Sequence, residues 1–301
     1  MKFELSADQR DFATSLDRLL AGADTVSVAR AWADGDHAPG RALWARLTEQ
    51  GLLSLATEAS PVEVVVALEA LGRHAVPGPW VESAAYLPVA LGREVHGMAT
   101  VALPPLAPLA LDADAADEVY LGSAPARAVG DPRVSVDRTR RLFAVEPVDS
   151  SASPEVLVDD AALDLAVLAT AAQLLGAGER ILADTVAYVT QRRQFGRAIG
   201  SYQALKHALA DVRIALDFAR PLVWGAALEP TRRDTAAAKV ATADAAYLAA
   251  RTGLQLHGAI GYTAEFDLSL WLTKVRALVG AWGTPAHHRA VVLDALVGAG
   301  A

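Results

Sequence analysis

The second half of the chain is a succession of long apolar-periodic segments, and that succession restricts the fold more than any other feature. Residues 161–191, 201–228, 235–257, 266–279 and 285–297 each carry apolar side chains at helical spacing, joined by brief polar or glycine-containing stretches. The last segment opens with Thr284 as an N-cap and Pro285 at the first helical position. Long helices with short connections predict an antiparallel four-helix bundle, placed over residues 153–301.

Residues 1–98 read as a second helical region. Ser6 and Gln9 have capping-box spacing, and Phe3, Phe12, Leu16, Leu19 and Leu20 supply an apolar stripe. Helical spacing recurs over 42–53 and 62–71, stopped near Gly51 and Gly72. Pro77-Gly78-Pro79 then breaks the chain before a short helix over 81–91. Residues 99–152 change character: TVAL, EVYL, RVSV and RLFAVEP are short runs of strand type separated by Pro, Gly and Asp. They predict a mini-sheet of about five strands at most and no closed barrel. The expected fold is mainly α, with an N-terminal helical domain, a reduced middle β region and a C-terminal bundle.

Composition removes several function classes. The 27 Lys and Arg against 35 Asp and Glu give a formal charge of −8, with no basic tail, so nucleic acid is an unsuitable partner. Zero cysteines exclude disulfides, thiolate catalysis and Cys-ligated metals. Glu4 and Asp8 interrupt any signal-peptide pattern. The uncharged run 95–111 contains three prolines, and 165–178 is too short to span a bilayer. No membrane association and a cytoplasmic location are expected.

Two constellations carry chemistry. Arg192-Arg193-Gln194-Phe195-Gly196-Arg197 places three guanidiniums beside Gly196, Gly200 and the start of the next helix. Guanidinium forks and free backbone N–H groups suit a pyrophosphate, although a solvated basic linker has the same composition. Gln255-Leu256-His257-Gly258-Ala259-Ile260-Gly261-Tyr262 ends a helix with glycines that allow close backbone approach, or that act as an ordinary C-cap.

Together, the two motifs resemble the signature of the acyl-CoA dehydrogenase family. R-x-Q-F-G-x-x-I-x-x-[FY]-Q is present from Arg192 to Gln203, and Q-x-x-G-[GA]-x-G-[YF]-T-x-E from Gln255 to Glu265. Gly51-Leu52-Leu53 and the L-E-x-L-G-R of Leu68 to Arg73 resemble the family's N-terminal domain. The resemblance covers nearly the whole chain. It implies FAD as cofactor, an acyl-CoA substrate, α,β-desaturation started by a carboxylate base, and an electron-transfer flavoprotein as one electron acceptor. In family dimers one subunit holds the isoalloxazine while its neighbour's bundle contacts the pyrophosphate and adenosine. By resemblance, Arg192, Gln194, Phe195, Gln203, Gln255, Leu256, His257, Gly258 and Ala259 belong to that donated contact.

The chain departs from the family in two places. The commonest base position, normally in E-G-T, falls on Trp282 of Trp282-Gly283-Thr284, and indole cannot accept a proton from a carbon acid. The alternative base position, on the helix before the arginine motif, falls near Ala166, leaving Asp164 as a weak candidate two residues away. The family's T-E-P-x-A-G-S-D and W-I-T-N motifs have no counterpart between Thr100 and Glu146. What is missing is the self-supplied half of the flavin site; what remains is the half given to a neighbour. The expected molecule is the short subunit of a heteromeric acyl-CoA dehydrogenase, joined two-plus-two with a full-length partner. Actinobacterial breakdown of steroid-derived CoA thioesters uses such assemblies. A homomeric dehydrogenase using Asp164, a flavin oxidase or monooxygenase of the same fold, and a scaffold without flavin stay open as alternatives. Adjacent His287 and His288 point to different helix faces with no carboxylate cluster, so no metal site is expected.

Overall fold

A computed structural model describes residues 4–149 and 158–298. Phe3 of the predicted stripe, and the predicted boundary at 152/153, lie outside the described residues. The predicted capping box opens α1 (Ala7–Ala21): the Ser6 hydroxyl accepts from the Gln9 N–H while the Gln9 side chain accepts from the Ser6 N–H. Helices α2 (Thr25–Ala33), α3 (Ala38–Glu49), α4 (Leu55–Glu58) and α5 (Pro61–Arg73) follow. Helix α3 starts four residues before the predicted segment, because Pro39 sits in its first turn and Gly51, at φ +82°, lies beyond its end. The segment read as one short helix over 81–91 is a π-helical turn, Glu82–Tyr86, running into α6 (Leu87–Leu91).

The middle region is a five-stranded sheet: β1 (Ala99–Ala102), β2 (Ala110–Leu111), β3 (Glu118–Leu121), β4 (Ala124–Arg133) and β5 (Leu142–Pro147). The order is β1-β3-β4-β5-β2, with β1 and β3 parallel and the other pairs antiparallel. The RVSV run does not extend β4 past Arg133. Val134 is fully exposed, so no inner face is available to reward its side chain.

The remaining helices are α7 (Asp160–Gln191), α8 (Gln203–Leu228), α9 (Arg232–His257), α10 (Leu268–Gly280) and α11 (Pro285–Gly298). The Thr284 hydroxyl accepts from the His287 N–H, as expected of an N-cap. Helices α7, α8, α9 and α10 pack as a bundle, α11 lies on α9, and α5 lies against α7. Among the described residues α7 alone is long and apolar enough to cross a membrane, yet 89% of its apolar window is buried inside the molecule. It is a core helix, apolar on every face over residues 162–178, where helices surround it, and exposed on one face near its end at Val186, Ala187 and Thr190.

Contact between α5 and α7 depends on two glycines. A Cβ at Gly72 would lie 2.1 Å from the Gln173 carbonyl oxygen, and one at Gly176 would lie 1.9 Å from that of Glu69. The two backbones therefore touch directly, a spacing that even alanine prevents. Ion pairs fix the same crossing to α8. Arg220 bridges Glu69 at 3.0 Å and Glu179 at 2.9 Å, and Arg213 holds Glu179 at 2.7 Å. Lys239, wholly buried on α9, donates to the carbonyls of Leu278 and Val279 at the end of α10. Replacing Gly176 by Ala is expected to lower stability by about 1–3 kcal/mol or more, since two backbones must separate. Urea unfolding of the variant beside the wild type measures this.

Candidate functional site

The two motifs meet at one end of the bundle. Helix α7 stops at Gln191, and the chain forms a hairpin of β6 (Arg193–Gln194) and β7 (Arg197–Ala198), pairing Arg193 with Ala198 and Gln194 with Arg197. Phe195 and Gly196 make its two-residue turn at φ +51° and +80°. Gly196 adopts that conformation freely; a phenylalanine there is an outlier, and its ring is 88% exposed. Arg192 and Arg193 have no acidic partner among the described residues, while the Arg197 guanidinium lies 3.9 Å over the Tyr202 ring. Gln194 is exposed on the hairpin, and Gln203, also exposed, is the first residue of α8. That helix start carries no side-chain cap, so the Gln203 and Ala204 N–H groups stay open to an anion, while those of Leu205 and Lys206 donate to the Tyr202 carbonyl.

Helix α9 ends beside this hairpin. His257 is buried, its ring stacked 4.2 Å from Tyr188 of α7, and the Tyr188 hydroxyl donates to the His257 carbonyl at 3.4 Å. Tyr188 thus joins the two motifs, since the Arg192 N–H in turn donates to the Tyr188 carbonyl. His257 Nδ1 donates to the Gly253 carbonyl at 2.8 Å, which leaves Nε2 an acceptor, buried and without a partner. Gly258 follows at φ +64°, and nothing lies within 4 Å of where its Cβ would stand. Gln255 and Ala259 are exposed, and Leu256 is half-buried. The end of the bundle therefore presents arginines, amides and bare backbone, with no carboxylate on the hairpin.

The base positions lie at the other end. Trp282 is 2% exposed at φ +55°, its ring 5.1 Å from Tyr86. Its indole faces the carboxyl of Glu82, which burial pushes above the usual carboxylate range despite the Arg140 charge and the indole contact. Ala166 is fully buried. Asp164 is held by Arg232 at 3.4 Å; burial raises its pKa, and Arg232 opposes the rise. It lines a cavity of about 100 Å³ with Arg232, His287 and His288, well below the roughly 300–1,000 Å³ of ordinary ligand pockets. His288 is buried against the Trp282 carbonyl and His287 is exposed, on different faces as expected. Among the described residues no His, Cys, Asp and Glu cluster could hold a metal.

Sequence reasoning missed a set of buried polar groups where the connection between β4 and β5 meets α10. Lys274 donates to Asp137 at 3.1 Å and to Thr139 at 2.9 Å, with both ions of the pair buried. Asp112, fully buried, accepts from the Arg141 N–H at 2.9 Å through Oδ1 and leaves Oδ2 without a partner. Burial pushes its pKa up to about 7. A lysine inside an apolar helical run, in a chain with only four, was the available signal.

Residues 158–297 match the family model for the acyl-CoA dehydrogenase C-terminal domain. Acyl-CoA dehydrogenase IpdE2 of Mycobacterium tuberculosis is 32% identical over 290 residues, covering 88% of this chain and 89% of that protein. The chain belongs to the acyl-CoA dehydrogenase family, whose cofactor is FAD. Its fold is shared by the ChsE4-ChsE5 complex from Mycobacterium tuberculosis, with a TM-score of 0.82 at 21% identity over 99% of both chains. It is shared equally by a Mycobacterium smegmatis glutaryl-CoA dehydrogenase solved in complex with FADH2, with a TM-score of 0.80 at 15% identity over 98% and 95%.

A carboxyl whose folded pKa is raised stabilises fully below its unfolded value, and that contribution is lost as pH rises through the folded value. For Asp112 the window runs from its ordinary 3.8 to about 7. Relative to Asp112→Asn, the wild type is expected to lose stability across that window and level off above it. Denaturant unfolding of both proteins at several pH values checks the slope.

Proposed function

We propose that this chain is the short subunit of a heteromeric acyl-CoA dehydrogenase, lending its arginine hairpin and glycine turn to FAD seated mainly in a full-length partner. The separation of the two ends of α7 carries this reading. Ala166 and Arg192 are 26 positions apart on or at the end of one helix (192 − 166), about 40 Å at 1.5 Å per residue. Trp282 joins the Ala166 end through His288, which contacts the Trp282 carbonyl and lines the cavity beside Asp164. A dinucleotide gripped by the hairpin does not reach this chain's own base positions. It reaches a ring held by another chain.

The residues present fit the phosphate and nucleoside part of FAD. Exposed Arg192 and Arg193 answer a pyrophosphate, the open α8 start adds N–H donors, and the Gln194, Gln203 and Gln255 amides suit ribose or adenine edges. His257 Nε2 is an acceptor awaiting a donor, and Gly258 lets backbone approach closely. Bound FAD supplies the hydride acceptor for desaturation. This chain's residues bind and orient the nucleotide, while the buried Trp282 indole offers no proton acceptor at the family's commonest base position. A carboxylate on the partner removes the α-proton. Likeness to IpdE2, and the ChsE4-ChsE5 complex and a Tcur3481-Tcur3483 steroid acyl-CoA dehydrogenase among proteins of this fold, support a two-chain enzyme acting on a steroid-derived CoA thioester.

Co-expression with a full-length acyl-CoA dehydrogenase from the same genome, followed by sizing and a flavin-to-protein ratio, tests the reading. Stoichiometric flavin in the singly expressed chain refutes it. Arg192→Ala is expected to lower flavin retention in the complex by removing a charge-assisted contact of about 1.5–3 kcal/mol, roughly ten- to a hundredfold in dissociation constant. Asp164→Asn is expected to leave turnover of the complex within a few-fold of wild type. A fall of about two orders of magnitude or more moves the base onto this chain.

A further inference from the structure

We infer that a second recognition element lies one turn along α9 from the glycine motif: a cation-rimmed apolar pocket that takes an apolar side chain flanked by a carboxylate from the partner subunit. The inference rests on the heteromeric reading above and adds where, and by what chemistry, the partner is recognised. The pocket has a volume of about 400 Å³ and lies between α9, the turn that follows it, and α10. Leu254 and Leu272 line it, Tyr247 and Tyr262 flank it, and Arg251 and Arg276 stand at its rim. Tyr262 is 74% exposed, costly for a ring with no neighbour to cover it.

The two arginines are unlike most others in the molecule. Arg30 and Arg138 of the adjoining surface pair with Asp267 and Asp34 at 2.9 Å. Arg251 and Arg276 are both exposed, and no acidic partner is found for either among the described residues; Arg276 has only the Tyr247 ring, 5.7 Å away. In a chain of net charge −8, two adjacent unanswered cations form a local exception. Arginine and tyrosine around an apolar depression have the composition of a protein–protein hot spot: an apolar anchor fills the floor and rim charges select the partner. A free small anion is served less well. The floor offers it few polar groups for orientation, and exposed ion pairs contribute little by themselves.

Position identifies the partner. Arg251 and Gln255 are four apart on α9 and share an edge, and Tyr262 closes the same 3₁₀ turn that contains Ala259. The pocket therefore continues the surface already proposed to meet the partner's flavin, and a chain seated there covers both.

The test is a titration of this chain with the flavin-loaded partner subunit by calorimetry or sedimentation, at low and moderate salt. Three proteins are compared: wild type, the double charge reversal Arg251→Glu with Arg276→Glu, and Tyr262→Ala. All three altered residues are exposed, and circular dichroism confirms that each variant is folded. The double reversal is expected to weaken assembly about tenfold or more at low salt and to abolish or invert its salt dependence, and Tyr262→Ala to weaken it several-fold at every salt concentration. Wild-type assembly with neither variant impaired overturns the pocket while leaving the heteromeric reading standing. Failure of the wild type to assemble overturns that reading itself. Micromolar binding of ADP to the free wild-type chain, lost in the double reversal, would assign the pocket to a nucleotide and overturn the partner assignment.

Discussion

Burial of the first half of α7 on every side is the constraint on which the rest depends. Over residues 162–178 its side chains are apolar or small around nearly the whole circumference, and the helices packed against it, α5, α8, α9 and α10, enclose it. Once it is enclosed, its two ends become separate places. One end carries the unpaired arginines; the other lies under Trp282, Asp164 and the small polar cavity. The distance between those two places is the length of one core helix.

Enclosure at this density requires small residues at the crossings. Gly72 and Gly176 bring α5 and α7 into backbone contact, and Gly253 accommodates Ile181, whose methyl would stand 2.8 Å from an added Cβ. Buried alanines on α7 and α9 do the same work along the rest of the interface. Alanine abundance in this sequence is therefore a packing requirement as well as a compositional trait.

Polar groups are also buried where the connection between β4 and β5 meets α10. The Lys274–Asp137 pair and Asp112, whose pKa burial raises, lie there. A buried polar group left without a partner is destabilising. Removing one member of such a buried pair is costly, which favours keeping the set intact.

Much of this was legible in the sequence, for definite reasons. Helical periodicity located the five C-terminal helices, the Ser6 and Thr284 caps located helix starts, and two ordered motifs identified the family. Local signals failed where tertiary contacts decide. Helix α2 was missed: its N-cap, Asp24, stands in a left-handed conformation, and the helix is held by burying Val28, Ala29 and Trp32. Strand β2 is two residues long and exists only because β5 pairs with it. Trp282 could be read from spacing as an unsuitable base, because that follows from the chemistry of indole. That it packs against Glu82 and Tyr86 depends on residues as far as 200 positions apart (282 − 82) coming together. The sequence by itself determined the helices, the family and the arginine and glycine motifs, since each rests on residues near in the chain. Tertiary structure alone decided that the motifs share one end of the bundle, that the base positions lie at the other, and that polar groups are buried where the connection between β4 and β5 meets α10, because those are distances through space.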